Sequence, residues 1–156
     1  MRHGKIKKTW TTGDLKKLKF RKGDPTKTFG QKLIKNVGAS ICNELPKKFT
    51  AIAENFDLRE CVVAVQKMTA GQVLPWHVDR YKTFIKNKKI KDKKSIMRII
   101  VFLEDPSPGH QLWIGDKFCT GKAGSYFGWS YDTKHMAANL GENDRYTLQI
   151  TGIKNK

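Results

Sequence analysis

Short apolar segments separated by turn sequences dominate the chain from residue 61 onward. The segments are rich in Val, Ile, Phe, Trp and Tyr, and Gly, Pro, Asp and Asn collect between them. β-Branched and aromatic residues favour extended backbone, whereas these four residues favour turns. Seven segments fit this description: 61–68, 72–79, 97–104, 111–115, 125–129, 134–140 and 145–152. Several short strands at this spacing predict a β-sandwich or a β-barrel.

The chain before residue 61 follows another pattern. Residues 1–23 are basic, and we expect an extended arm with room for one short strand. Asp24 and Pro25 resemble a helix start, as N-cap and first helical residue. Apolar residues then recur every four positions, which predicts an amphipathic helix of about 20 residues that ends before Pro46 and covers one sheet face. The recurring residues are Phe29, Leu33, Val37, Ile41 and Leu45.

The length of 156 residues fits a single domain spanning 1–156. Its formal net charge of +17 comes from 31 Lys and Arg against 14 Asp and Glu. Such a charge attracts polyanions and speeds their association, but it does not specify a fold. Nucleic acid, an acidic protein, an anionic small molecule and solubility alone are all open explanations.

Residues 82–94 hold much of this charge, with seven lysines and one acid, Asp92. We expect a lysine-rich loop here. It is either a solvated loop, the usual state of a charge run, or a flexible lid that recruits an acidic substrate.

The composition predicts a cytoplasmic protein. No apolar stretch of about 18 residues is present, so we expect no membrane span. The basic start of the chain is not followed by the apolar segment of a secretory signal. Cys42, Cys61 and Cys119 are widely spaced and form no C-x-x-C pair. We therefore expect reduced cysteines that fill the core.

Three residues form a candidate metal site. His77 and Asp79 lie two residues apart on a predicted strand, so their side chains point to the same face. Of the other histidines, His135 opens a predicted strand, whereas His110 lies in a Pro/Gly turn. Two imidazoles and one carboxylate form the facial triad of non-haem Fe(II) oxygenases. A lone H-x-D pair is weak evidence, because Asp79 could cap a turn and His135 could be a core residue.

Arg145 strengthens the metal hypothesis. It follows His135 by ten residues, and we expect segments 134–140 and 145–152 to be antiparallel neighbours. Arg145 and Thr147 share one strand face, so both could point into a barrel beside His135. A buried arginine requires an anion, and its planar fork matches a carboxylate. The alternative is a surface ion pair with Asp144 or Glu142.

In order and spacing, His77, Asp79, His135, Arg145 and Thr147 resemble the signature of the 2-oxoglutarate/Fe(II)-dependent oxygenase superfamily. The resemblance implies a mainly β fold, the double-stranded β-helix also called a jelly-roll or cupin-like barrel, here with a flanking helix. It implies that the triad binds Fe(II) and that Arg145 and Thr147 bind the distal carboxylate of 2-oxoglutarate. Dioxygen would be the other cosubstrate, and no catalytic residue beyond the metal ligands is implied.

The segment 121–152 further resembles the aspartyl/asparaginyl β-hydroxylase branch of that superfamily. This branch has a second cosubstrate-binding arginine on a central strand, where Arg98 lies in this chain. Arg98 could instead pair with a structural carboxylate such as Glu104 or Asp105. Members that hydroxylate aspartate often lack the carboxylate ligand, whereas Asp79 is present here.

Four other residues are candidates for the site. Gln66 is polar on a predicted core strand, so we place it with Arg98 among the cofactor-binding residues. Tyr81, Trp113 and Trp129 are candidates for substrate contact, although tryptophans on strands usually line a core.

Three functions follow from these patterns. The first is a 2-oxoglutarate-dependent Fe(II) dioxygenase that hydroxylates an unidentified substrate, for which an acidic molecule and a protein are both candidates. The second is a cupin-type metalloprotein with different metal chemistry. The third is a basic nucleic-acid-binding β-domain, although no named nucleic-acid-binding motif is present.

Overall fold

The structure is a computed structural model that describes residues 1–23 and 37–155. The strands in these ranges are β1 (Arg2–Lys5), β2 (Arg21–Lys22), β3 (Ser40–Cys42), β4 (Leu58–Met68), β5 (Val73–His77), β6 (Ile96–Phe102), β7 (His110–Ile114), β8 (Lys117–Phe118), β9 (Ser125–Ser130), β10 (His135–Asn139) and β11 (Arg145–Lys154). Within the described ranges they form two sheets. The larger has the strand order β1-β9-β6-β11-β4-β3-β2 and the smaller has the order β5-β10-β7-β8.

All seven strands that the sequence predicts are present, with ends that differ by a few residues. They are β4, β5, β6, β7, β9, β10 and β11. The sheets pack against each other through apolar residues of both, such as Ile100 and Phe102 from the larger and Leu112 and Ala137 from the smaller. The architecture therefore agrees with the sandwich or barrel expected from the strand spacing.

The helical segments within residues 1–23 and 37–155 are short. They are α1 (Thr12–Lys16), α2 (Lys47–Thr50), which continues as a 3₁₀ helix over Ala51–Asn55, α3 (Lys82–Asn87) and a 3₁₀ turn at Lys93–Ser95. No helix in the described part of the chain combines the length and the apolar character needed to cross a membrane.

The loop predicted for residues 82–94 is partly helical, because α3 occupies its first half. Phe84 and Ile85 are half-buried. The segment therefore has an apolar side in addition to its lysines, and this side favours a packed helix over a fully solvated loop.

The amphipathic helix predicted to start at Asp24 falls largely on residues 24–36, which lie outside the described residues. Where its C-terminal part is described, the prediction is wrong. Residues 40–42 form β3, which pairs with β4. Pairing supplies hydrogen-bond partners to the edge of β4, and this tertiary contact outweighs the helical spacing of the apolar residues.

The basic arm is not simply extended. Within it, Trp10 and Leu15 are buried in the main core, and the Trp10 indole N–H donates a 2.6 Å hydrogen bond to the carbonyl oxygen of Leu103. Thr11 and Asp14 form a reciprocal capping box at the start of α1, so even this short helix has a defined beginning. The arm therefore belongs to the folded body.

The two faces of the larger sheet have different roles. On β11, Leu148 and Ile150 are fully buried in the main core, beside Trp10 and Phe49. Because side chains alternate along a strand, the intervening residues face the smaller sheet. These residues are Arg145, Thr147, Gln149 and Thr151. An otherwise apolar strand thus presents a row of polar groups to the space between the sheets.

β10 and β11 are not neighbours in one sheet, contrary to the sequence prediction. β10 pairs with β5 and β7, whereas both edges of β11 are taken by β4 and β6. The connection between them crosses from the smaller sheet to the larger. Asn139, fully buried, fixes this crossing by donating hydrogen bonds to the carbonyl oxygens of Met68 at 2.9 Å and Asn143 at 2.8 Å.

Candidate metal centre

Two histidines stand opposite each other on paired strands of the smaller sheet. His77 ends β5, His135 begins β10, and the two are register partners with ring centroids 4.3 Å apart. Each Nδ1 approaches the carbonyl oxygen two residues earlier, that of Pro75 at 2.6 Å and that of Thr133 at 2.9 Å. Because a carbonyl oxygen only accepts, each Nδ1 carries a proton, and Nε2 is the ring nitrogen that faces Asp79.

Asp79 lies two residues beyond β5 and turns its carboxylate toward both rings. Its Oδ1 is 3.6 Å from His77 Nε2, and its Oδ2 is 3.7 Å from His135 Nε2. One ligand atom from each of these three residues lies within 4.8 Å of the other two. Two imidazoles and one carboxylate converging in this way are a donor set that suits a divalent transition metal.

Arg98 holds the Asp79 carboxylate in place. Its Nε and Nη2 donate hydrogen bonds to Asp79 Oδ2 at 3.2 and 3.0 Å. Its Nη1 donates to Gln149 Oε1 at 3.1 Å. The carboxylate partner of Arg98 is therefore a candidate metal ligand, and not Glu104 or Asp105, which were the alternative to cosubstrate binding. Cosubstrate binding by Arg98 stays a prediction.

The electrostatics favour metal binding at neutral pH. Burial lowers the pKa of His135 to about 4, so this imidazole is neutral and able to coordinate. Burial disfavours the charged form of Asp79, but the Arg98 guanidinium and the neighbouring histidines outweigh that effect. The pKa of this carboxyl consequently lies far below its usual range, and Asp79 is ionised.

A cavity of about 210 Å³ lies between the two sheets beside the three residues. Its polar lining from the larger sheet comprises Gln66, Arg98, Arg145, Thr147 and Gln149, and the smaller sheet contributes His77 and His135. A cavity of this size suits a molecule of a few carbon atoms. We call it the inner cavity.

Arg145 is buried in the wall of the inner cavity and is 5% exposed. In the described part of the chain, its Nη1 donates a 3.6 Å hydrogen bond to Met68 Sδ, and its Cζ lies 5.8 Å from the centre of the Phe102 ring. Neither group is an anion, and burial lowers the pKa of Arg145 to about 10. An unneutralised buried guanidinium is costly, so this cation is poised to bind an anion.

Buried polar atoms without a hydrogen-bond partner collect around this region. Among the described residues they are Thr147 Oγ1, Trp129 Nε1 and Tyr81 Oη. Thr147 and Trp129 line the inner cavity together with Arg145. Native proteins rarely leave such atoms unpaired, so the wall offers a cation, a hydroxyl and an indole N–H to a polar ligand.

The structure brings most of the predicted site residues together. Gln66 is buried and lines the inner cavity, and the Trp129 ring lies 4.6 Å from that of His135. Tyr81 lies in the wall of a neighbouring cavity. Trp113 is the exception. It neighbours Ile114, the register partner of His135, so it points to the opposite face of the smaller sheet, where it packs on Phe118 at 5.2 Å.

Gln149 is the residue that sequence reasoning missed. It supports Arg98, which in turn holds Asp79. The signal was present in the sequence, because Arg145, Thr147, Gln149 and Thr151 alternate with apolar residues along one strand. Such alternation predicts a polar face where a core strand would otherwise be apolar.

No family model matches the chain, and no curated protein matches it in sequence. Solved structures resemble it in fold. A prolyl-4-hydroxylase from Pseudomonas putida matches with a TM-score of 0.55 and 13% identity, covering 76% of this chain and 73% of that one. A predicted oxalate decarboxylase from Thermotoga maritima matches with a TM-score of 0.51 and 14% identity, covering 88% and 95%.

A cupin domain from Schizosaccharomyces pombe matches with a TM-score of 0.50 and 10% identity, covering 90% of this chain and 72% of that domain. At these identities the likeness establishes the fold alone. The chain has the double-stranded β-helix or cupin fold, as the sequence predicts. The resemblance to the aspartyl/asparaginyl β-hydroxylase branch gains no support from these structures.

Proposed function

We propose that this chain is an Fe(II)- and 2-oxoglutarate-dependent dioxygenase that hydroxylates an organic substrate. One observation carries the proposal: Arg145, buried and without an anionic partner among the described residues, lines the same inner cavity as the three candidate metal ligands. A cavity with a metal site and a separate cation suits a ligand that chelates the metal at one end and has a carboxylate at the other.

The metal part of the proposal rests on the donor set. His77, Asp79 and His135 provide two nitrogen ligands and one oxygen ligand, and the inner cavity beside them leaves room for further ligands. The backbone carbonyls that fix each Nδ1–H orient both imidazoles before a metal arrives. A set of three ligands with open positions is typical of non-haem Fe(II) oxygenases.

The cosubstrate part rests on Arg145 and Thr147. The guanidinium offers a two-point contact to a carboxylate. The Thr147 hydroxyl, which has no hydrogen-bond partner in the described ranges, lies two residues along the same strand face. Gln66, the register partner of Thr147, adds a polar group to the same wall. A small dicarboxylate would therefore satisfy the buried cation and the buried hydroxyl together.

When bound, Fe(II), 2-oxoglutarate and dioxygen supply the oxidising chemistry. The residues of the chain orient the bound groups and enclose them. Arg98 holds Asp79 in one orientation, and Arg145 positions the dicarboxylate. Trp129 and Ile100 contribute apolar surface that limits water in the cavity.

A cupin metalloprotein with different chemistry is the rival function, because the fold and the triad suit it equally well. Such a protein needs the same three metal ligands, but its chemistry does not require an anion bound to Arg145. The two functions differ in what the protein consumes. A 2-oxoglutarate oxygenase converts 2-oxoglutarate to succinate and carbon dioxide.

The test is aerobic incubation of Fe(II)-loaded protein with 2-oxoglutarate, followed by NMR quantification of 2-oxoglutarate and succinate. We expect succinate to appear in equal amount to the 2-oxoglutarate lost. His135→Ala should abolish its formation, whereas His3→Ala, which removes an exposed histidine of the arm, should not. Failure of the metal-loaded wild type to form succinate would favour the rival function.

A further inference from the structure

A second cavity, of about 430 Å³, also borders the Asp79–Arg98 pair. We call it the outer cavity. Val62, Thr151 and Arg98 are register partners across β4, β11 and β6, so they form one row on the sheet face that also carries the inner cavity. Asp79 and Arg98 line both cavities. Any occupant of the outer cavity therefore lies next to the candidate metal site.

Tyr81 forms a well-defined part of the wall of the outer cavity. Its backbone φ of 49° is unusual for a residue with a side chain, and it occupies the N-cap position of α3. Its ring lies over Arg98, with Cζ 5.3 Å from the centroid. Its hydroxyl is buried beside Arg98 and Asp79, without a well-aligned hydrogen bond to any residue that the structure describes. Strained backbone and unpaired polar atoms concentrate at functional sites.

The rest of the lining combines apolar surface with positive charge. Val62 and Phe84 provide apolar area, while Arg80, Lys82 and Lys88 provide cations. Lys88 is neutralised by Glu60 at 2.7 Å. Arg80 and Lys82, both exposed, form no ion pair within residues 1–23 and 37–155. These two cations are thus available to an anion at the cavity mouth.

We propose that the outer cavity binds the acceptor substrate, and that this substrate is an organic anion with an apolar body. The body lies against Val62, Tyr81 and Phe84. Its carboxylate or phosphate group is held by Arg80 and Lys82. The role as acceptor site rests on the proposed dioxygenase function, whereas the ligand class rests on the outer cavity alone.

The test uses three probes with one aromatic body: phenylacetate, phenyl phosphate and the neutral phenylacetamide. Ligand-observed NMR gives their affinities for the metal-free full chain. Both anions should bind at least about tenfold more tightly than the amide. The tighter of the two identifies the preferred anionic group. Mn(II) is then added as a redox-stable occupant of the triad, and its paramagnetism should broaden the signals of a bound probe.

Two double variants remove the same charge from different places. Arg80→Gln with Lys82→Gln changes the cavity mouth, whereas Lys86→Gln with Lys91→Gln changes exposed lysines that do not line the cavity. The first pair should weaken phenylacetate or phenyl phosphate binding about tenfold, and the second by no more than about twofold. An equal loss of anion affinity in the two double variants would show that only the overall positive charge of the protein attracts anions, and would overturn the proposal.

Equal affinity for the neutral amide, or no broadening by bound Mn(II), would also overturn it. These outcomes are distinguishable from failure of the proposed function. If Mn(II) does not bind the triad, or if 2-oxoglutarate does not bind the loaded protein, the dioxygenase assignment fails. If both bind and the probes do not, the outer-cavity assignment fails alone.

Discussion

Arg98 donates both of its hydrogen bonds to Asp79 onto a single carboxylate oxygen, Oδ2. The other oxygen, Oδ1, faces His77 Nε2 at 3.6 Å. A charged two-point contact of this kind restricts the rotation of the carboxylate. The orientation of a candidate metal ligand is therefore set by a residue from the larger sheet, while both histidines come from the smaller sheet.

We predict that Arg98→Lys weakens metal binding about tenfold, because lysine keeps the charge but loses the planar fork that fixes Asp79. Calorimetric titration with Mn(II) measures the effect. Arg59→Lys makes the same chemical change at an exposed position of β4 and should leave the affinity unchanged. An Arg98→Lys affinity equal to that of the wild type would show that Asp79 is oriented without this contact.

We predict that the metal-free protein loses stability as the pH falls from 6.5 toward 4. The folded pKa of His135 is about 4 and its ordinary value is 6.5. Between these values the unfolded chain binds a proton at this residue and the folded chain does not, so acid favours unfolding. The loss from this residue is at most about 3 kcal/mol.

Urea unfolding at several pH values measures that loss. In His135→Asn the carboxyl groups still titrate but the histidine is gone. The free energy of unfolding of this variant should therefore fall less between pH 6.5 and pH 4. Parallel pH profiles for the two proteins would contradict a neutral, buried His135.

We predict that Thr147→Val keeps or raises stability while it weakens 2-oxoglutarate binding. Valine has nearly the same shape and removes a buried hydroxyl that has no partner among the described residues. The gain in stability should be up to about 1 kcal/mol, and the loss of affinity about three- to tenfold. Denaturation and anaerobic ligand titration measure the two effects.

Thr151→Val is the matched control, because it makes the same change on the same strand face but beside the outer cavity. It should leave 2-oxoglutarate affinity unchanged. A destabilised Thr147→Val protein with unchanged affinity would assign the hydroxyl a structural role.

The strands were predictable because their residue types and turns are local signals, and seven of them fall where the sequence places them. His77 and Asp79 were predictable as a pair because strand geometry fixes residues two apart. The change of sheet between β10 and β11 was not predictable, since pairing partners depend on contacts distant in sequence. The Arg98–Asp79 contact was missed for the same reason, because 19 residues separate its members.

The packing of the basic arm against the core is another feature that the sequence did not predict. Its lysines suggested an extended segment, yet Trp10 is 3% exposed and bonded to Leu103. We predict that Trp10→Ala lowers the free energy of unfolding by about 3–5 kcal/mol and Trp10→Phe by about 1–3 kcal/mol. In both variants the Leu103 carbonyl loses its hydrogen bond from the indole, and this loss is a main part of the effect. Chemical denaturation measures both. A change below about 0.5 kcal/mol for Trp10→Ala is what an unpacked arm would give.

The most direct measurement is an anaerobic titration of Fe(II)-loaded protein with 2-oxoglutarate, following a visible charge-transfer band. Wild type should develop the band and saturate. Arg145→Gln should bind 2-oxoglutarate about a hundredfold more weakly and Fe(II) within about threefold of wild type, because the guanidinium contacts the carboxylate and not the metal. Arg59→Gln should match wild type. A wild-type protein that binds Fe(II) without developing the band, or equal loss of both ligands in Arg145→Gln, would contradict the account.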